Sequence, residues 1–183
     1  LGLVGNLRPV EQTPETAFVL PGVLAAFPEA RVVHAVRDGR DVVCSLLERG
    51  WLQSGRAGTD DAGNRFGAEA RFWVEPERRE EFASVSEARR AAWAWRRYVG
   101  AVRASGVPVV EVRYERLTAD PAGAAAALAG ALGIPEAPLA GALAEAHRGS
   151  VGRYATDLSE EQLADVVAEA GGLLGELGYL HGG

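Results

Sequence analysis

Lysine is absent from this chain: all 19 basic side chains among its 183 residues are arginine. Any chemistry that needs a primary amine on the protein is excluded, and so is a phosphate loop of the G-x-x-x-x-G-K type. Methionine is absent too, and the single cysteine, Cys44, rules out an intrachain disulfide and a cysteine cage around zinc. No apolar run approaches the roughly 18 residues of a membrane-crossing helix, so no membrane segment is expected in the chain. The net charge of −6 argues against bulk binding to nucleic acid or to an anionic membrane. An anion site here must be a local cluster of arginines. No His-x-x-x-His or carboxylate cluster points to a metal, and no G-x-S-x-G elbow supports a hydrolase. The chain opens at Leu1 with no visible signal sequence, which favours a cytoplasmic location and a chain that is processed or is a piece of something longer.

What is present is a globular composition, 48% apolar and 24% charged, enough for one domain over residues 1–183. A valine-rich strand is expected over Arg31–Val36, followed by the turn Arg37-Asp38-Gly39-Arg40-Asp41 and a helix through Val42–Leu47. Asp38 or Asp41 can cap that helix, and the whole reads as half of a βαβ unit. Pro21–Phe27 predicts a short helix, and 51–70, rich in Gly, Asp, Arg and Ser, a long loop. Ser84 with Glu87 forms a capping-box pattern ahead of a helix of about twenty residues, whose stripe is Ala91, Trp95, Val99 and Val102. Val107–Arg113 is the second strand. Asp120-Pro121 opens an alanine-rich helix that ends at Gly133, and a short helix follows near Leu139–Ala146. After the polar loop His147–Asp157, a Ser159/Gln162 capping box starts the last helix. Its expected buried face is Leu163, Val166, Val167, Ala170, Leu173, Leu174 and Leu177. Strands alternating with helices predict an α/β fold, a parallel sheet covered on both sides. Two or three strands are few for such a sheet, so further strands are expected ahead of Leu1.

In open α/β sheets ligands sit beyond the carboxyl ends of strands, which is where Arg37 stands. Asp41, Ser45 and Arg49 follow at i, i+4 and i+8 on one helical stripe. Arg37, Ser45 and Arg49 together offer two guanidinium forks and a hydroxyl, a set suited to a phosphate monoester. On spacing alone a solvated salt-bridge turn is the commoner reading. A second anion site is available in Arg148-Gly149-Ser150-Val151-Gly152-Arg153-Tyr154, where glycines let backbone N–H groups approach an anion; an ordinary connector is the alternative. Tyr114, ending the second strand, either stacks on a base or fills the core. His34 reads as a satisfied core or sheet-edge histidine, His147 as a neighbour of the arginine loop, and His181 as inert. Phe72 and Trp73 either line an acceptor pocket or cap the sheet.

Four stretches in this order resemble the sulfotransferases that use 3′-phosphoadenosine 5′-phosphosulfate: FPEARVVHAVRDGRDVVCS (27–45), VVEVRYERLTADP (109–121), RGSVGRY (148–154) and the tail from Leu158 to the Leu-Gly-Tyr ending at Tyr179. The resemblance runs from about Glu11 to Tyr179. It implies a three-layer parallel sheet flanked by helices, the P-loop-NTPase-like sulfotransferase fold. It further implies that Arg37 and Ser45 grip the nucleotide 3′-phosphate, with Arg49 joining them as in the tyrosylprotein branch. Tyr114 would lie by the adenine, and Arg148, Gly149 and Arg153 would belong to a loop closing over the nucleotide. Glu11-Gln12-Thr13-Pro14 resembles the family's EKTP, with Gln12 in the place of a lysine that stabilises charge on the bridging oxygen. The family's first strand and phosphosulfate-binding loop would lie before Leu1, and so would the general base of the tyrosylprotein-type enzymes.

The expected reaction is transfer of a sulfuryl group to a hydroxyl or amine on a small-molecule, carbohydrate or peptide acceptor, releasing adenosine 3′,5′-bisphosphate, without a metal. The alternatives are a non-catalytic module that binds the 3′-phosphoadenosine nucleotide, or a related nucleotide kinase.

Overall fold

A computed structural model of the chain describes residues 9–55 and 67–180. The expectations for His181 and for the middle of the 51–70 loop lie outside the described residues. In chain order the elements are a 3-10 turn Pro14–Phe18, α1 (Leu20–Ala26), β1 (Val32–Val36), α2 (Gly39–Arg49), a 3-10 turn Pro76–Arg78, α3 (Arg79–Ser84), α4 (Glu87–Ala104), β2 (Val109–Arg113), α5 (Tyr114–Ala119), α6 (Pro121–Leu132), α7 (Glu136–Ala144), a 3-10 turn Arg148–Ser150, α8 (Tyr154–Asp157) and α9 (Glu160–Glu176).

β1 and β2 pair in parallel, from Val32 opposite Val109 to Val36 opposite Arg113. Parallel neighbours need a long crossover, and α2 to α4 supply it. Among the described residues the sheet holds these two strands only, so the fold is a helix-rich α/β arrangement around a small parallel sheet. β1 alternates, burying His34 and Val36 while Val33 is 43% exposed.

α4 is the central helix, packed on α2 and α9. The expected stripe Ala91, Trp95, Val99 and Val102 is buried. With Val36, Val43, Phe82, Trp93, Val166, Ala170 and Leu174, most of that stripe makes the core that fixes where β1 ends.

The structure departs from the sequence reading at several places. Tyr114 does not end the second strand: β2 stops at Arg113 and Tyr114 opens α5. The N-cap of α4 is Ser86, not Ser84: Ser86 has extended backbone and its Oγ accepts from Arg89 N at 3.1 Å. Ser84 is still helical, and its hydroxyl donates back to Glu81 O at 2.9 Å. In α9 the Ser159/Gln162 box is present, yet Val167 is 40% exposed and Glu169 takes a buried place. That carboxylate is tolerated because Arg78, Arg89 and Arg96 converge on it at 3.2, 3.3 and 2.9 Å. The 147–157 loop contains two helical turns, 148–150 and α8. Finally, His34 is buried on β1, an edge strand among the described residues, and there its Nδ1 has no hydrogen-bond partner, so the expected core or sheet-edge histidine is in place but not satisfied.

Candidate functional site

The chain leaves β1 at Val36 and turns at once. Asp38 caps α2, its Oδ1 accepting from Arg40 N at 2.9 Å, and the Arg40 guanidinium clasps the same carboxylate at 2.6 Å. The Asp38 N–H donates to Glu115 Oε1 at 2.8 Å, joining this turn to the start of α5. From α4, Trp95 Nε1 donates to the Arg37 carbonyl at 3.2 Å. The Trp95 ring lies so close to Gly39 that a Cβ there would fall 2.7 Å from ring carbons. The Arg-Asp-Gly turn is therefore clamped from two sides, and Arg37 is presented beyond the carboxyl end of the sheet.

Arg37 meets the end of β2 and the late loop there. Its guanidinium stands 5.1 Å from the Tyr114 ring centroid, its Nη2 donates to the Ser150 carbonyl, and its Nε is buried without a partner among the described residues. Tyr114 Oη donates to His147 O at 2.8 Å. Arg148 points into the C-terminus of α5, donating to Thr118 O at 2.7 Å and Ala119 O at 3.1 Å. The loop does bring backbone N–H groups to an anion, as its glycines led us to expect, but the anion is Asp41. Gly152 N donates to Asp41 Oδ2 at 2.8 Å and Tyr154 N to Asp41 Oδ1 at 3.0 Å. Gly149 sits in the 3-10 turn, where an added Cβ would meet nothing within 4 Å.

Ser45, half-buried one turn after Asp41, donates to the Asp41 carbonyl at 3.4 Å. Arg49 is exposed, its guanidinium 4.8 Å from the Trp51 ring centroid. Arg153 is engaged at the far end of α2, by Glu48 and, at 2.6 Å, by Asp157. Its hydrogen bonds hold both the Glu48 and the Asp157 carboxyl below their ordinary pKa range. Asp41 and Glu48 are seven residues apart, about 10 Å along a helix. Arg37 and Arg153 therefore engage opposite ends of α2, and among the described residues they share no hydrogen-bond acceptor.

The profile of the sulfotransferase family matches residues 5–138. The chain belongs to the sulfotransferase family. No curated protein and no solved structure gives a significant match. The family match contains Glu11, Gln12, Arg37, Ser45, Arg49 and Tyr114, and it ends before Arg148, Gly149 and Arg153.

The Glu11-Gln12 segment lies near the start of the matched residues. Glu11 accepts from Thr13 N at 2.6 Å and from Thr16 Oγ1 at 2.7 Å, and these bonds lower its pKa. It thus shapes the 3-10 turn Pro14–Phe18. Gln12 beside it is exposed. Phe18, Phe72, Trp73 and Tyr98 form a chain of ring contacts 5.2 to 5.7 Å apart, with Phe72 exposed and Trp73 buried. Trp73 thus joins the core while Phe72 remains a surface residue. Among the described residues no group of three or more His, Cys, Asp or Glu gathers as for a metal, and no helix is long and apolar enough to cross a membrane.

Sequence reasoning missed three parts of this site. Asp41 was a candidate cap and is instead the receptor for the late loop. Glu115 and Trp95 hold the Arg37 turn. The second aspartate of Arg-Asp-Gly-Arg-Asp was the available signal, because a capped helix needs only one.

Proposed function

We propose that this sulfotransferase-family chain takes 3′-phosphoadenosine 5′-phosphosulfate as donor and passes its sulfuryl group to a hydroxyl or amine acceptor, releasing adenosine 3′,5′-bisphosphate. The observation that carries the reading is Arg37: a guanidinium at the carboxyl end of β1, with a buried Nε that has no acceptor among the described residues, beside the Tyr114 ring and next to Asp41, one turn before Ser45 on α2. A buried donor without an acceptor is costly, and a phosphate monoester satisfies it with charge.

In this reading Arg37 and Ser45 hold the 3′-phosphate, Arg49 joins once it leaves Trp51, and Tyr114 lies by the adenine. Arg148 and Gly149 shape the covering loop, and Arg153 turns inward only if it gives up Glu48 and Asp157. Each charge-assisted hydrogen bond contributes about 1.5–3 kcal/mol, so three or four supply a large share of the roughly −8 kcal/mol of a micromolar ligand. The chemical step is an in-line displacement at sulfur: the acceptor oxygen or nitrogen bonds to sulfur, the bond to the bridging phosphate oxygen breaks, and the acceptor's proton passes to a base. Gln12 offers a hydrogen bond to that bridging oxygen but no charge, and Glu11 orients its turn. The small parallel sheet is read as part of a three-layer, P-loop-NTPase-like architecture; among the described residues neither strand has a partner on its other side.

One observation favours a second reading. With Gln12 where the family carries a lysine, the chain keeps the nucleoside half of the site and lacks the cation for the leaving group, as a non-catalytic nucleotide-binding module would. A radiolabelled sulfate-transfer assay on mixed phenols, tyrosine peptides and carbohydrates separates the two. Labelled product supports the transferase; tight bisphosphate binding with no product supports the module. A preference for ATP over the bisphosphate in a thermal-shift screen contradicts both.

A further inference from the structure

Asp41 is 1% exposed, and neither of its carboxylate oxygens serves its own helix. Oδ2 accepts from Gly152 N and Oδ1 from Tyr154 N, across 111 and 113 residues of sequence. Arg37 Nη2 lies 3.9 Å from the same Oδ2 and also donates to Ser150 O. One buried carboxylate therefore sits between the arginine of the turn and the backbone of the late loop. Gly152 has φ +75°, a conformation L side chains rarely adopt, which turns its N–H and that of Tyr154 toward the same group.

We propose that Asp41 is a positioning residue: it docks the 150–154 segment against Arg37 and so sets the closed form of the nucleotide site. This rests on the donor reading given above. The proposal makes a signed prediction that simple electrostatics reverses. Removing a negative charge 3.9 Å from Arg37 should tighten the binding of an anion if charge alone mattered. Asparagine at this place accepts one N–H through Oδ1 but sets its own amide hydrogens against the other, so the loop detaches and binding weakens.

The test is calorimetric titration of adenosine 3′,5′-bisphosphate into wild type and Asp41→Asn, alongside hydrogen exchange of the peptide covering 150–155. The expected result is about tenfold weaker binding and faster exchange in that peptide, with far-UV circular dichroism unchanged. Unchanged or tighter binding by Asp41→Asn, or unaltered exchange, overturns the proposal while leaving the donor reading intact. Absence of binding by wild type removes the donor reading, and this inference with it. Should Asp41→Asn fail to fold, Gly152→Ala strains the loop from its own side, where a Cβ has open space. Weaker binding and faster exchange are expected there too, and wild-type behaviour in Gly152→Ala overturns the proposal.

Discussion

His34 shows at the scale of one residue what burial without a partner does. Desolvation holds the imidazole pKa below its ordinary 6.5; Glu111 pulls it up, while Arg103 and Arg113 push it down. As pH falls through 6.5 the unfolded chain takes up a proton that the folded chain refuses until a lower pH. The unfolded state binds more protons across that window, so stability rises with pH there. The melting temperature should therefore fall on acidification from about pH 7 to about pH 5, and less steeply in His34→Phe. Equal slopes would refute the assignment. The carboxylates held by Arg153, Glu48 and Asp157, have lowered pKa values and lose their contribution in a more acidic window, so the two effects separate. Cys44 is the contrasting residue: burial pushes its thiol up to about 11, which leaves it a packing group and not a nucleophile.

At the scale of elements, the strand–turn–helix β1–α2 is held by α4. Trp95 bonds the Arg37 carbonyl and covers Gly39. A methyl at Gly39 has nowhere to go, since the ring it meets is buried in the core. Gly39→Ala should cost about 1–3 kcal/mol in urea unfolding and weaken nucleotide binding by moving Arg37; a variant with wild-type stability and affinity would contradict the clamp. This unit was legible in the sequence because its signals are local: valines, then Asp-Gly, then an apolar period. The caps at Asp120 and Ser159 were legible for the same reason. Ser84 and Ser86 offer the same hydroxyl two residues apart; the backbone at Ser86, its bond from Arg89 N and its contact with Asp165 on α9 decide between them, and none of these is a local sequence signal.

For the whole molecule, the hub is Glu169. Its carboxylate gathers Arg78, Arg89 and Arg96, while Glu81 and Glu75 also bond these arginines, so α9 is bolted to α4 and to the Pro76–Arg78 turn. Glu169→Ala leaves three guanidiniums facing one another and should lower the unfolding free energy by about 2–4 kcal/mol, read by denaturant titration; a loss under about 0.5 kcal/mol would show the network to be decorative. No sequence period distinguishes this glutamate from the solvated ones beside it, because its burial is decided by arginines more than seventy residues away. The Asp41 tie to the late loop was hidden for the same reason. What the residues made legible was the strand, turn and helix that set Arg37 at the carboxyl end of β1; how the late loop packs against it depends on long-range contacts that local patterns do not encode.

The measurement that bears most directly on this account compares adenosine 3′,5′-bisphosphate with adenosine 5′-monophosphate by calorimetry, in wild type and in Arg37→Ala, with Arg103→Ala as a surface-charge control. The two ligands differ only in the 3′-phosphate. The account predicts that wild type and Arg103→Ala prefer the bisphosphate tenfold or more, about 1.4 kcal/mol, and that Arg37→Ala loses that preference. A preference that survives in Arg37→Ala, or none in wild type, would contradict it.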